Sequence, residues 1–428
     1  MLLWLSLAAG LLAAEAAAPS ASPRLEDDAA LLQTRAEPVA EVEDTVPEAL
    51  WQALESESPP PSDSFRQTLV NFGDAQYIAY LTLGRQMIAS IMDTGSYDLV
   101  VFGVDCRSCG VAAHYNHHLS HSYSESLMSV EQYYGSGRAI SNAAHERLAI
   151  GPYRIANQSL WNVKYAQMPI LYGAAFEAIF GLGPPDTPMM NAWEGAEKAV
   201  DDVLSYYDQG LAAPAANIAT AKRAVEMAND ATKSPPPLRS AGCERFSVCM
   251  GAKPGADGLL VWDDSAASRQ PELFSKVSVL GNHSWSVSLS QAGLGYGGTR
   301  SGDVLACAEG CQALVDSGTS ILSAPSPVVQ GLKAAFQNLY PNCSNMEVLP
   351  DLVFQLGDTR LSLPPDSYVA MVVPEHPHFL QEAGGAAGLS AQGSAPFAHM
   401  GGQGWQCQML IRETDVNATA GPLWILGM

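Results

Sequence analysis

Along most of the chain, apolar residues come in short runs broken by turn residues. Tyr77-Ile78-Ala79-Tyr80-Leu81-Thr82-Leu83 and residues 87–92 are such runs, set between turns rich in Gly, Asn and Asp. Short β-branched and aromatic runs with this spacing predict strands. The texture holds from Gln67 to Leu182. It returns from Arg245 onward in Phe246-Ser247-Val248, Leu259-Leu260-Val261-Trp262, residues 284–289, Leu352-Val353-Phe354 and residues 368–373. Between these halves the period changes. Residues 193–207 and 215–233 are rich in Ala, Glu, Lys and Asp, and Ile218, Ala221, Val225 and Ala228 recur at helical spacing. Ser234-Pro235-Pro236-Pro237 ends that stretch. The pattern predicts two all-β halves with a helical surface insertion at about residues 190–243. Residues 384–404 carry seven glycines and predict a mobile loop.

The chain starts differently. Leu2 to Ala14 is an apolar run followed by Ala14-Glu15-Ala16, a small-x-small cleavage pattern. It predicts a secretory signal over residues 1–17, too short to span a bilayer comfortably. Residues 18–65 are rich in Ala, Glu, Asp, Ser and Pro and include Pro59-Pro60-Pro61. They predict a pro-segment or a disordered acidic leader.

Composition narrows the class. A chain of 428 residues suits two or three domains. Hydrophobic residues at 47% and charged residues at 15% make a globular chain. A net charge of −22 repels phosphates and anionic bilayers, which excludes nucleic acid and membrane surfaces as partners. Eight cysteines form an even set, as disulfides in an oxidising compartment require. N-x-S/T sequons begin at Asn157, Asn282, Asn342 and Asn417, candidate glycosylation sites. These features place the chain in the secretory pathway, outside the cell or in an acidic lysosome- or vacuole-like compartment.

The chemistry sits in an internal repeat. Ile91-Met92-Asp93-Thr94-Gly95-Ser96 is echoed by Leu314-Val315-Asp316-Ser317-Gly318-Thr319. Each copy is followed downstream by two apolar residues and a glycine, Ile179-Phe180-Gly181 and Ile425-Leu426-Gly427. The apolar pair is strand, the Asp stands at a sharp turn, and Gly permits the backbone there. The hydroxyls can hydrogen-bond the carboxylates. One Asp-Thr-Gly is most often only a turn. Two copies about a pseudo-twofold axis would bring two carboxylates together. Such a pair shares a proton, so one can act as base on water while the other polarises a carbonyl.

On these motifs the chain resembles the pepsin family of aspartic proteases, close in type to pepsin and cathepsin D. The resemblance runs from about Asp74 to the last residue, apart from the insertion. It extends to residues 176–183, to Cys307-Ala308-Glu309-Gly310-Cys311 before the second Asp, to residues 349–354, and to Leu423-Trp424-Ile425-Leu426-Gly427. It implies an all-β, bilobal fold with a cleft between pseudo-twofold lobes. The lobes would be residues 66–246 and 247–428. It implies an aspartic endopeptidase acting at acid pH on peptides and proteins, as a monomer, without metal or cofactor. By motif position Asp93 and Asp316 form the catalytic dyad. Thr94 and Ser317 cross-brace the two loops, Gly95 and Gly318 form the turns, and Ser96 and Thr319 hydrogen-bond the carboxylates. Tyr134-Gly135-Ser136-Gly137 resembles the flap, with Tyr134 closing over substrate and Gly135 at its tip. The resemblance also suggests disulfides Cys106–Cys109, Cys307–Cys311 and Cys343–Cys407, with Cys243–Cys249 as an extra pair.

The chain departs from the family in four places. Val100 stands where the family often has a Trp that supports the flap Tyr. Residues 18–65 contain no Lys and only Arg24 and Arg35, so the usual lysine-based inhibition by a pro-segment is not available. The helical insertion is long. The sequence ends directly after the second apolar-apolar-Gly, which leads to the expectation of a truncated second lobe. These departures keep one alternative in view: a catalytically weak or inactive pepsin-like peptide-binding protein. His114, His117, His118 and His121 include i, i+4 pairs that could ligate a metal on a helix, but a solvated polar loop is the expected role.

Overall fold

The structure is a computed structural model. It describes residues 2–6, 64–251, 253, 255–295, 304–337, 339–346, 349–372, 406–418 and 420–428. Residues 7–63, which hold most of the expected signal and leader, and the glycine-rich loop at 384–404 lie outside the described residues.

The strand texture resolves into two large sheets, one of ten strands and one of nine. In the first, Gln76–Leu83 and Gln86–Asp93 form a hairpin, extended on one side by Phe65–Phe72. The long strands Ser124–Tyr134, Gly137–Ile150 and Tyr153–Gln167 form its other flank. The alternating Tyr77, Ala79, Leu81 and Leu83 face a core with Met92, Leu99, Phe180 and Trp262. A separate cluster behind the cleft contains Ile78, Ile91, Val100, Phe102 and Phe176. Strands with apolar residues on both faces lie between packed layers, which is why residues 88–93 read as a nearly unbroken apolar run.

The second sheet is centred on Ser286–Gly295, which pairs with Cys311–Val315 and with Asp351–Leu356. Its core gathers Val287, Leu289, Leu322, Phe354 and Trp424. The first sheet continues past residue 247, the expected start of the second lobe. Phe246–Cys249 pairs with Gly258–Trp262, and that strand pairs with Phe65–Phe72. Trp262 is fully buried in the first core, and its indole donates to Gln67 at 2.8 Å. At the start of the chain, Leu2–Ser6 pairs antiparallel with Phe274–Ser278.

The insertion is a helical hairpin, Thr187–Asp208 and Ala215–Lys233, followed by the short helix Pro237–Ala241. Ala221 and Ala228 are buried in the hairpin seam, as their spacing requires. Thr187 Oγ1 donates to the Asn282 carbonyl at 3.1 Å, so the first helix is anchored on the second half of the chain.

Three disulfides form: Cys106–Cys109, Cys307–Cys311 and Cys343–Cys407. The expected fourth does not. Cys243 and Cys249 are free thiols, one buried and one exposed. The intervening chain enters the extended strand Phe246–Cys249, where each residue advances about 3.3 Å. Three strand steps from Phe246 to Cys249 advance the chain by about 10 Å, against the roughly 7 Å Cα separation that a bridge tolerates.

The two halves are tied by a buried indole. Trp285, next to the second sheet's central strand, donates from Nε1 to the Leu182 carbonyl at 2.7 Å and packs its ring edge-on to Phe246. Truncating a buried Trp costs about 3–5 kcal/mol. Trp285→Ala is expected to lower unfolding stability by that amount, read by denaturant titration. The loss should be accompanied by weakened activity, because Leu182 follows the strand beside Asp93.

Candidate active site

Two strands deliver the two carboxylates in the same way. Gln86–Asp93 runs parallel to Ala178–Gly181, with Asp93 opposite Gly181. Cys311–Val315 runs parallel to Gly421–Leu426, with Val315 opposite Leu426. The backbone N–H of Leu182 donates to the Asp93 carbonyl at 2.7 Å, and that of Asp316 donates to the Leu426 carbonyl at 3.0 Å. Each apolar-apolar-Gly segment therefore flanks its own Asp strand.

Beyond each Asp the chain turns, and the turn hydrogen-bonds the carboxylate. Gly95 N–H donates to Asp93 Oδ1 at 2.8 Å, and the Ser96 hydroxyl donates to Oδ2 at 2.5 Å. Gly318 N–H donates to Asp316 Oδ1 at 2.8 Å, and the Thr319 hydroxyl donates to Oδ2 at 2.6 Å. The two turns then lock together. Ser317 N–H donates to Thr94 Oγ1 at 2.9 Å, while that hydroxyl donates to the Val315 carbonyl at 2.8 Å. Thr94 N–H donates to Ser317 Oγ at 3.1 Å, and the Ser317 hydroxyl donates to the Met92 carbonyl at 2.5 Å. Four bonds cross between segments more than two hundred residues apart.

The interlock presses each carboxylate against the other turn. A Cβ on Gly95 would lie 2.6 Å from Asp316 Oδ1, and a side chain on Gly318 would collide with the Asp93 carboxylate. Only glycine fits at either turn. Asp93 and Asp316 are both buried, at 9% and 8% exposure. Burial first, and repulsion by Asp316 second, push the Asp93 carboxyl up to about 7; the Ser96 and Gly95 bonds pull against that rise.

Both Asps line a cavity of about 460 Å³. Over it hangs the hairpin of Ser124–Tyr134 and Gly137–Ile150, with Tyr134 paired to Gly137 across the Gly135-Ser136 turn. Tyr134, Gly135 and Ser136 line the cavity. Burial, with the negative charges of Asp98 and Asp93 adding to it, raises the Tyr134 phenol, so it stays protonated as a donor. Val100 is buried in the apolar cluster against which Tyr134 packs. The tryptophan on this side is Trp161, whose Nε1 donates to Asp98 Oδ2 at 3.1 Å. Burial pushes Asp98 up to about 6, against the Trp161 bond.

Asp93 and Asp316, the Ser96 and Thr319 hydroxyls, the Thr94–Ser317 brace and Tyr134 thus gather at one place. Two charged lining residues, Asp98 and Arg412, were not singled out from the sequence. Asp98 carried a faint signal, a charged residue abutting the wholly apolar strand Leu99–Phe102. Arg412 carried none, since a single Arg near the chain end has no pattern.

The histidine-rich loop lies elsewhere and is not an α-helix. His117–Leu119 is one short 3₁₀ turn, capped by Asn116, so the i, i+4 pairs do not share a helical face. His117 and His118 both approach Asp105, each at 3.7 Å, while His114 turns to Glu177. The Lys164 ammonium also lies 3.7 Å from Asp105, giving that carboxylate a cation already. The sequon residues Asn157, Asn282, Asn342 and Asn417 are all exposed. Among the described residues, no helix is long and apolar enough to cross a membrane.

Comparison with known proteins agrees with this geometry. Residues 76–213 and 242–377 match the family model for eukaryotic aspartyl protease. The chain is 23% identical to pepsin A of Bos taurus over 84% of its length and 80% of that protein's. It is 25% identical to pepsin A of Rhinolophus ferrumequinum, over 84% of this chain and 78% of that one. It is 26% identical to cathepsin E-A of Xenopus laevis, over 84% and 76%. The family match falls on both halves of the chain and leaves out the whole second helix of the insertion. The chain belongs to the eukaryotic aspartyl protease family.

Proposed function

We propose that this protein is an aspartic endopeptidase of the secretory pathway that cleaves extended peptides at acid pH, with Asp93 and Asp316 as its dyad. The observation that carries the reading is the matched set of hydrogen bonds around the two carboxylates. Each accepts one backbone N–H on Oδ1 and one hydroxyl on Oδ2. A carboxylate has about four acceptor sites, so each retains capacity for a water molecule or a substrate carbonyl.

Two buried carboxylates at contact cannot both ionise cheaply, so the pair holds one proton. The ionised member takes a proton from water as the water attacks the scissile carbonyl carbon. The protonated member gives its proton to the carbonyl oxygen. The resulting gem-diol collapses as one Asp gives its proton to the amide nitrogen and the other takes a proton from a gem-diol hydroxyl; the C–N bond breaks, the amine leaves and the dyad again holds one proton. Tyr134 and the flap cover the reacting atoms and exclude bulk water. The disposition of the interlock fits this chemistry: Thr94 and Ser317 spend their hydroxyls on backbone carbonyls and hold position, and do not touch the carboxylates.

Asp93→Asn and Asp316→Asn are each expected to abolish cleavage of a denatured protein while the fold is retained by circular dichroism. Wild-type activity is expected to be highest at acid pH and to fall as pH rises through about 7, where the pair loses its shared proton. A folded wild type that cleaves nothing at any pH from about 3 to 7 would remove the endopeptidase reading and leave a peptide-binding protein.

The same shift has a stability consequence. The folded state holds the Asp93 proton up to about 7, whereas an unfolded carboxylate releases it near its ordinary 3.8. The folded form therefore binds the extra proton between those values, and stability falls as pH rises across that window. Asp93→Asn removes this dependence. The melting temperature of the variant is expected to drop less than that of wild type between about pH 4 and about pH 8.

Thr94→Val keeps the shape of the side chain and removes both hydroxyl bonds, leaving Ser317 N–H and the Val315 carbonyl without partners. Stranding a buried polar group costs about 1–3 kcal/mol. Unfolding stability should fall by about that much, and kcat should fall with it, since the two turns then lose their common register.

A further inference from the structure

Arg412 occupies the middle of the strand Ile411–Glu413, which runs parallel to Leu322–Ala324 with Arg412 opposite the buried Ser323. Alternation along a strand turns Ile411 into the second core and Arg412 to the other face, where it lines the cavity. The adjacent acid, Glu413, is engaged by Lys333 at 3.0 Å. Arg412 Nη1 donates to the Gly135 carbonyl at 3.3 Å, so the guanidinium reaches from the second sheet to the flap tip. That is one long bond to a neutral acceptor, made by a group with five donors. Among the described residues, Arg412 is the only basic side chain lining the cavity, and no carboxylate pairs with it.

A guanidinium stays charged at every pH at which a protease works, and its planar fork matches a carboxylate in two bonds. We propose that Arg412 is a specificity residue that binds the side-chain carboxylate of an Asp or Glu in the bound peptide, so that the enzyme selects substrates with an acidic residue at the subsite beneath the flap tip. This rests on the endopeptidase reading of the same cavity. An extended peptide entering under the flap exchanges the long Gly135 contact for a charge-assisted pair, and that exchange is the source of the selection. The net charge of −22 disfavours acidic peptides at a distance, but salt near 0.1 M screens charges beyond about 10 Å. At contact, Arg412 decides. Gly135 leaves room for the guanidinium: a Cβ there would stand 3.3 Å from Nη2.

The alternative role is a simple tether for the flap. A tether treats acidic and neutral peptides alike, so its loss would lower kcat/KM for both by the same factor. The test uses the full chain and matched peptides that differ only in Glu or Gln at each position flanking the scissile bond, at about pH 5, where a peptide glutamate is largely ionised. Wild type is expected to favour Glu at one position by roughly fivefold or more, the yield of a single partly exposed ion pair. Arg412→Gln should erase that preference, and Arg412→Glu should transfer it to a Lys peptide at the same position. Equal kcat/KM for every Glu and Gln pair, or a preference that survives Arg412→Gln, overturns the proposal. Binding of the same pairs to Asp316→Asn, followed by fluorescence anisotropy, reads Arg412 without turnover. Absence of cleavage by folded wild type would then defeat the endopeptidase reading alone, while tighter binding of the Glu member would still support Arg412 and equal binding would sink it.

Discussion

The structure turns on holding two buried carboxylates against each other. Asp93 and Asp316 repel when both are charged, and neither has a basic side chain to compensate it. The fold counters that repulsion with hydrogen bonds and with mechanical closure. Two backbone N–H groups and two hydroxyls serve the carboxylates, and four further bonds between Thr94, Ser317 and the strands behind them keep the turns from separating. Their strength depends on burial, since the same bonds in water would contribute little net. The closure in turn needs glycine at positions 95 and 318, because any side chain would occupy the space of the opposing carboxylate.

The rest of the architecture supports that contact. Each Asp strand is clamped by a parallel partner, and a parallel pair requires a long crossover. That need explains why each apolar-apolar-Gly segment lies so far from its Asp in sequence. The sheets extend outward from these clamps and bury large apolar clusters on either side. Trp285 joins the halves at Leu182, one residue past the clamp on Asp93, and Met428 packs against the first core while its N–H donates to the Thr319 carbonyl. Trp285 and Met428 thus tie the halves together beside the carboxylates.

This concentration explains what the sequence made legible. Residues whose roles are local left a pattern: the strand runs, the helical hairpin, and two Asp turns whose hydroxyls bond their own carboxylates. Recognising that the turns also bond each other required the family resemblance, because nothing in spacing says which distant segment a hydroxyl will meet. The fourth disulfide failed for a related reason. Two cysteines six residues apart look compatible on paper, but the backbone between them is drawn out as a strand of the first sheet. Strand texture likewise does not reveal which sheet a strand joins, and Phe246–Cys249 and Gly258–Trp262 join the first. Asp98 and Arg412 were hidden because single charged residues gain meaning only from the surfaces that enclose them.

Those two residues change how acidity bears on the cleft. Asp93 is pushed up to about 7 and Asp98 to about 6, in both cases chiefly by burial. Below those values both hold their protons, and Arg412 contributes a permanent positive charge to the cavity they line. As pH rises past them, two negative charges appear within the same walls, and the cavity turns against any anionic peptide. Proton loss therefore acts twice in one direction. On the proposed mechanism it would remove the acid that polarises the scissile carbonyl and reverse the field that a substrate carboxylate meets on the way to Arg412. On that mechanism an acid optimum would be as much a property of binding as of chemistry, because the groups that carry both are enclosed in one poorly solvated space.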